Sequence, residues 1–251
     1  IEVKITANSI LMSTASLFPS GTNNASYSSI KIYPTVANTQ ISGNIDGPLI
    51  DLNGADNVTI DGRLNGNTNS LNRDLTFINQ STSNVADGST VRFSNSAENN
   101  VLTYLTIKGA TTNTSGKSAN IYFSSSFSGN GNDNNTIDRC YITGVSATQR
   151  PLTVISTSGG SATIFDNGNT ISNNSIYDYY SNNLANSKGG VYLSGFSTNF
   201  KILNNSFYET QVNVPTVGNN YYGVNVYSTS NVYHTIQGNY FGGSSPQAGG
   251  N

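Results

Sequence analysis

At 251 residues, with charged side chains at 10% and a net charge of −2, the chain has room for one large β domain or two ordinary ones. It offers no basic surface to neutralise a phosphate backbone, so nucleic acid is not an expected partner. The single Cys140 excludes an internal disulfide framework, and no apolar run approaches the roughly 20 residues of a membrane-spanning helix, so membrane insertion is not expected.

Asn, Ser, Thr and Gly dominate, while Ile, Val, Tyr and Phe recur in short runs between them, the pattern of many short strands joined by turns. The chain opens on "IEVKI", a strand-like alternation with neither Met nor a signal sequence, which we read as a processed protein or a piece of a longer one. Residues 1–45 fit the later pattern loosely, as a first coil or a cap. "LIDL" (49–52) and "NVTIDG" (57–62) begin an irregular coil whose second apolar anchor is displaced by an insertion to "LTFI" (75–78). From there one phrase repeats: "NVLTYLTIKG" (100–109), "NTIDRCYITG" (135–144), "NTISNNSIYD" (169–178), "FKILNNSFYE" (200–209) and "HTIQGNYFGG" (234–243). Each copy carries two apolar anchors five residues apart: Leu102 and Ile107, Ile137 and Ile142, Ile171 and Ile176, Ile202 and Phe207, Ile236 and Phe241. A further strand precedes each copy: "VRFS" (91–94), "IYFS" (121–124), "TVIS" (153–156), "VYLS" (191–194) and "VNVY" (224–227).

Units of 31–35 residues with two or three short strands cannot bury a core alone, but stacked units can. The expected fold is all-β: a right-handed parallel β-helix of about six or seven coils in a single domain, with regular coils over 46–243. The first anchors should form one interior row and the second anchors another. Three residues past the first anchor stand Leu105, Cys140, Asn174, Asn205 and Asn239, which predicts a stacked Asn ladder shaping a left-handed corner, with Cys140 as a small buried filler.

The stacked "N-x-I-x-x-N-x-I" phrases resemble right-handed parallel β-helix proteins of the pectin-lyase-like class. "LIDLNGADNVTIDGRLNG" and "NNTISNNSIYDYY" resemble, more narrowly, Asn-rich β-helix segments of large secreted proteins of gliding bacteria. The resemblance spans about residues 41–243. It implies export by a type IX system and a secreted or cell-surface location. The fold class itself hosts lyases, hydrolases, adhesins and tailspikes.

Seven residues past the first anchor, Asp178 and Glu209 fall in neighbouring coils, about 4.8 Å apart by strand spacing. Three readings stand: a solvated pair, a Ca²⁺ site, or a retaining glycosidase pair. Asp61 and Asp138 each lie one residue beyond a first anchor, two coils and roughly 9.6 Å apart, a spacing for inverting hydrolysis, with Arg63 and Arg139 close in sequence. The resemblance to Ca²⁺-dependent lyases implies an acidic cluster with an Arg or Lys base, and no dense cluster gathers in the sequence. Only one histidine is present, His234, aligned with the turn residues Asn100, Asn135 and Asn169 and read as a surface turn. Alternation puts Tyr141, Tyr177, Tyr208 and Tyr240 on the outer face, either as a wall for polysaccharide or as a packing ladder under the "YYSNN" loop (179–183). The expected function is a non-catalytic extracellular stalk or adhesin with glycan contact. The alternative is a polysaccharide lyase or glycoside hydrolase.

Overall fold

The computed structural model describes all residues except 23, 125–128, 162, 181–188, 213, 215–219, 228–232 and 251. It is a parallel β-solenoid. Short β-rich runs give three strands per rung, and rungs stack into sheets of eight, eight and seven strands, with a separate two-stranded pair outside them. One rung illustrates the rest: Val101–Thr103 enters the first sheet, Leu105–Gly109 the second and Ala119–Phe123 the third. All pairing among the named strands is parallel, because each strand meets only its equivalents one turn away.

The interior rows follow the anchors. Ile60, Leu102, Ile137, Ile171, Ile202 and Ile236 are successive partners in the first sheet. In the second sheet the row runs Phe77, Ile107, Ile142, Ile176, Phe207 and Phe241. Each is buried except the last of each row, Ile236 at 46% and Phe241 at 51% exposed, which have a described rung on one side only. Every buried anchor contributes about 1.5–3 kcal/mol of apolar transfer. The displaced anchor sits where "LTFI" places it: Leu75–Asn79 pairs in register with Leu105–Gly109, and residues 63–74 bulge out between the first and second sheets. Residues 1–45 hold more than a first coil or cap. Glu2–Ile5 begins one rung and Ile30–Pro34 the next, and the two pair directly. At that end Val3, Ile5, Leu11 and Leu17 line an apolar opening of about 400 Å³.

The paired asparagines divide their labour. Asn173 and Asn204 take left-handed backbone, φ 56° and 55°, and turn the corner between the first and second sheets. Asn174 and Asn205 follow them and point inward. The backbone N–H and Nδ2 of Asn174 both donate to Oδ1 of Asn205, at 3.0 and 2.9 Å, and Asn205 donates likewise to Asn239 at 2.9 and 3.0 Å. The left-handed residue therefore precedes the ladder residue, where the sequence reading put both roles on one position. Cys140 is buried in the same column, and its backbone N–H donates to Oδ1 of Asn174 at 2.9 Å.

The opposite end of the first sheet repeats the device. Asn99 and Asn134 are left-handed, and the buried Asn100, Asn135 and Asn169 form a second amide column with links of 2.8–3.1 Å. These positions are turns but not surface turns, because the inward amide saturates corner groups that water cannot reach. Asn205→Ala should lower stability by about 1–3 kcal/mol, since it strands the Asn174 N–H groups. A urea midpoint equal to that of the unsubstituted protein would contradict the buried ladder.

Candidate functional site

The outer face beside the corner between the first and second sheets gathers the residues with chemistry. Pairing sets Thr106, Tyr141, Ser175, Ser206 and Tyr240 in one outward column, and Thr143, Tyr177 and Tyr208 in the next. Tyr177 and Tyr208 stack at 5.2 Å with planes 12° apart, and Tyr141 meets Tyr177 edge-on at 6.1 Å. Their faces are thus turned on one another along the rod. Tyr208 is buried, and burial pushes its hydroxyl up to about 12, whereas Tyr141 and Tyr240 are exposed. The expected wall is a packed ladder at its centre and open at its ends. In the "YYSNN" segment, Tyr179 and Tyr180 are buried, and residues 181–183 lie outside the described residues. Near Tyr240 a groove of about 330 Å³ is lined by Asn173, Asn204, Ser175, Ser206 and Gln247.

Three guanidiniums lie around the ring of Tyr104, and one of them, Arg73, also reaches Tyr141. Gly62 lets the chain pass close to the next rung, since a Cβ there would stand 1.9 Å from the carbonyl oxygen of Tyr104. Tyr104 is itself left-handed at φ 52° and turns its ring toward the bulge. Arg63 lies 4.4 Å, Arg73 5.6 Å and Arg139 5.9 Å from its centroid, within cation–π reach. Arg73 also lies 3.6 Å from the Tyr141 centroid.

The carboxylates are committed. Asp61 and Asp138 are two rungs apart, both paired with Thr103. Buried Asp61 takes Arg63 bidentately at 2.8 and 2.7 Å, and these bonds raise the Arg63 pKa further. Asp138 pairs with Arg139 and accepts from Ser172 at 2.8 Å and Asn173 at 2.7 Å. Asp178 and Glu209 converge on Arg150, a buried residue from the 145–152 loop that the repeat pattern did not reveal. Arg150 pairs with Glu209 and stands 3.8 Å from Asp178. Glu209 also accepts from the backbone of Tyr179 and Tyr180 at 3.2 and 3.0 Å, and Asp178 from both the backbone and hydroxyl of Thr210 at 2.8 and 2.6 Å. The pair is therefore not simply solvated. Burial raises the Glu209 carboxyl above the ordinary range, and Arg150 opposes that rise. The positive charge that a bound Ca²⁺ would bring to these oxygens is already supplied by a guanidinium. Among the described residues no group of three or more His, Cys, Asp and Glu is placed to hold a metal ion.

Comparison with known proteins finds no matching family model, no matching curated protein and no matching solved structure. No helix among the described residues is long and apolar enough to cross a membrane.

Other polar groups serve the frame. The Nδ1 of His234 accepts from the backbone of Phe200 at 3.3 Å, the role that Asn fills in earlier rungs, and burial lowers its pKa. Cys140 is fully buried, and burial pushes its thiol up to about 12, out of the range of a nucleophile at neutral pH. Asp166 stands in a further column, where its Oδ1 accepts from the backbone and Nδ2 of Asn132, both at 3.0 Å. Complete burial pushes its carboxyl up to about 7 against those bonds.

Proposed function

We propose that this chain is a non-catalytic module of a large secreted or cell-surface bacterial protein, a stiff β-solenoid that acts as stalk or adhesin and touches glycans along its Tyr strip. The carrying observation is the strip itself: Tyr141, Tyr177 and Tyr208 follow one another rung by rung, flanked by Ser and Thr hydroxyls on the outward columns. Aromatic edges beside hydroxyls suit the mixed apolar and hydroxylated surface of a sugar chain. Export by a type IX system is part of the proposal and rests on the Asn-rich resemblance alone. A lyase or hydrolase is less well supported, because the oxygens of Asp61, Asp138, Asp178 and Glu209 are engaged by guanidinium, amide and hydroxyl donors.

The test is retention on immobilised polysaccharides alongside a degradation assay with Ca²⁺. Tyr141→Ala, at an exposed end of the strip, should weaken retention severalfold with little change in melting temperature. The double change Tyr177→Ala with Tyr208→Ala should weaken retention further and also cost stability, since Tyr208 is buried. No unsaturated product or new reducing end should form. Turnover abolished by Asp61→Asn or Asp138→Asn would replace this reading with the enzyme, and retention indifferent to all three Tyr changes would leave a spacer.

A further inference from the structure

Arg73 sits at the upper end of the Tyr strip and differs from the two guanidiniums beside it. Arg63 spends its charge on Asp61 and Arg139 spends its charge on Asp138. No carboxylate among the described residues lies within 4.0 Å of Arg73. Its sequence neighbour Asp74 is buried and accepts instead from the backbone N–H of Leu64 at 3.3 Å.

The Arg73 side chain is nevertheless held. Its Nε donates to the carbonyl of Arg139 at 2.8 Å, and Nη1 donates to the carbonyl of Leu71 at 3.4 Å. The carbonyl of Arg139 belongs to a residue with φ 53°, in the left-handed corner that follows Asp138. The guanidinium thus rests near the rings of Tyr141 and Tyr104 with N–H donors to spare. A fixed cation on an aromatic floor, with donors unused and no carboxylate of its own, is a place where an anion gains charge-assisted hydrogen bonds. Its position in line with Tyr141, Tyr177 and Tyr208 makes it the terminal contact of the same strip.

We infer that Arg73 makes the strip select anionic polysaccharides, sugar chains bearing carboxylate or sulfate-ester groups, over neutral ones. The inference rests on the glycan-contact reading and adds the chemical class of the ligand. Two of the three guanidiniums at this corner are paired with a carboxylate of the protein, the exposed Arg139 included, and Arg73 is the one left half-exposed without such a pair among the described residues. The bulge of residues 63–74, which interrupts the repeat, is the element that delivers it.

The test uses affinity electrophoresis of the whole chain through gels holding a polyuronate, dextran sulfate or unmodified dextran. Retention by the polyuronate, dextran sulfate or both should exceed retention by dextran, and it should fall between about 0.05 M and about 0.5 M salt. Which anionic gel retains the protein more distinguishes carboxylate from sulfate. Arg73→Ala should lower anionic retention about tenfold and lower any dextran retention far less. Arg73→Lys, which keeps charge but not the flat fork, should recover part of it. Tyr141→Ala should weaken retention on every gel that binds, which separates the strip from its charged end. Retention on dextran alone, or anionic retention untouched by Arg73→Ala, overturns the selection while the glycan reading stands. Retention by none of the gels ends both. Equal loss on all gels, with a lowered melting temperature, makes Arg73 a packing residue and also overturns it.

Discussion

Arg150→Ala is expected to destabilise the protein by about 3–5 kcal/mol, the scale of breaking a buried ion pair by removing one partner. Arg150 is buried and neutralises Glu209, with Asp178 at 3.8 Å, while it also donates to the carbonyls of Ala147 and Tyr180 at 3.0 and 3.2 Å. Its loss leaves two carboxylates on adjacent rungs without a counter-charge. The effect carries a pH signature. Burial already raises the Glu209 carboxyl, so its proton is bound more tightly in the folded than in the unfolded state. Stability from this group is present at low pH and lost as pH rises through the raised value. Without Arg150 the rise is larger. The deficit of the variant should therefore be greater at pH 8 than at pH 5 in urea titrations. A deficit below about 1 kcal/mol, equal at both pH values, would mean that the guanidinium is dispensable.

The second large effect belongs to the interior. Phe123→Ala should cost about 3–5 kcal/mol, because the residue is fully buried and the cavity left behind cannot collapse between fixed rungs. Phe123 stacks on Phe93 at 4.6 Å, the next partner in the third sheet, and meets Phe200 edge-on at 5.7 Å. Three rungs share this contact, so hydrogen exchange should accelerate in the strand carrying Phe93 and in Lys201–Leu203, which follows Phe200, as well. Phe241→Ala is the control. It also stacks on a neighbour, Phe207 at 5.0 Å, but is half-exposed at the last described rung. The same loss from both substitutions would contradict a closed interior at Phe123.

Legibility in the sequence followed periodicity. The anchor rows were readable because five-residue spacing converts directly into register, and even the displaced Leu75–Asn79 strand could be placed from its neighbours. The inward role of Asn100, Asn135 and Asn169 was missed. Their recurrence two residues before each anchor was the available signal, but turn chemistry suggested exposure. Arg150 and Arg73 were out of reach for another reason. Both enter from segments outside the repeated phrases, and a loop of irregular length carries no register. The Tyr column was legible as a column, yet ring orientation depends on neighbouring rotamers, and mutual stacking hid the faces that the pattern seemed to offer.

The amide columns also give the rod a direction. In each link the earlier rung donates and the later rung accepts, from Asn100 to Asn135 to Asn169 and from Asn174 to Asn205 to Asn239. Every Oδ1 in these links therefore faces back along the chain, and the side-chain dipoles add rather than cancel. Each link polarises the next, so the column strengthens with length. The molecule is vectorial: electrically its two ends differ, and a rung laid in reverse would set carbonyl against carbonyl.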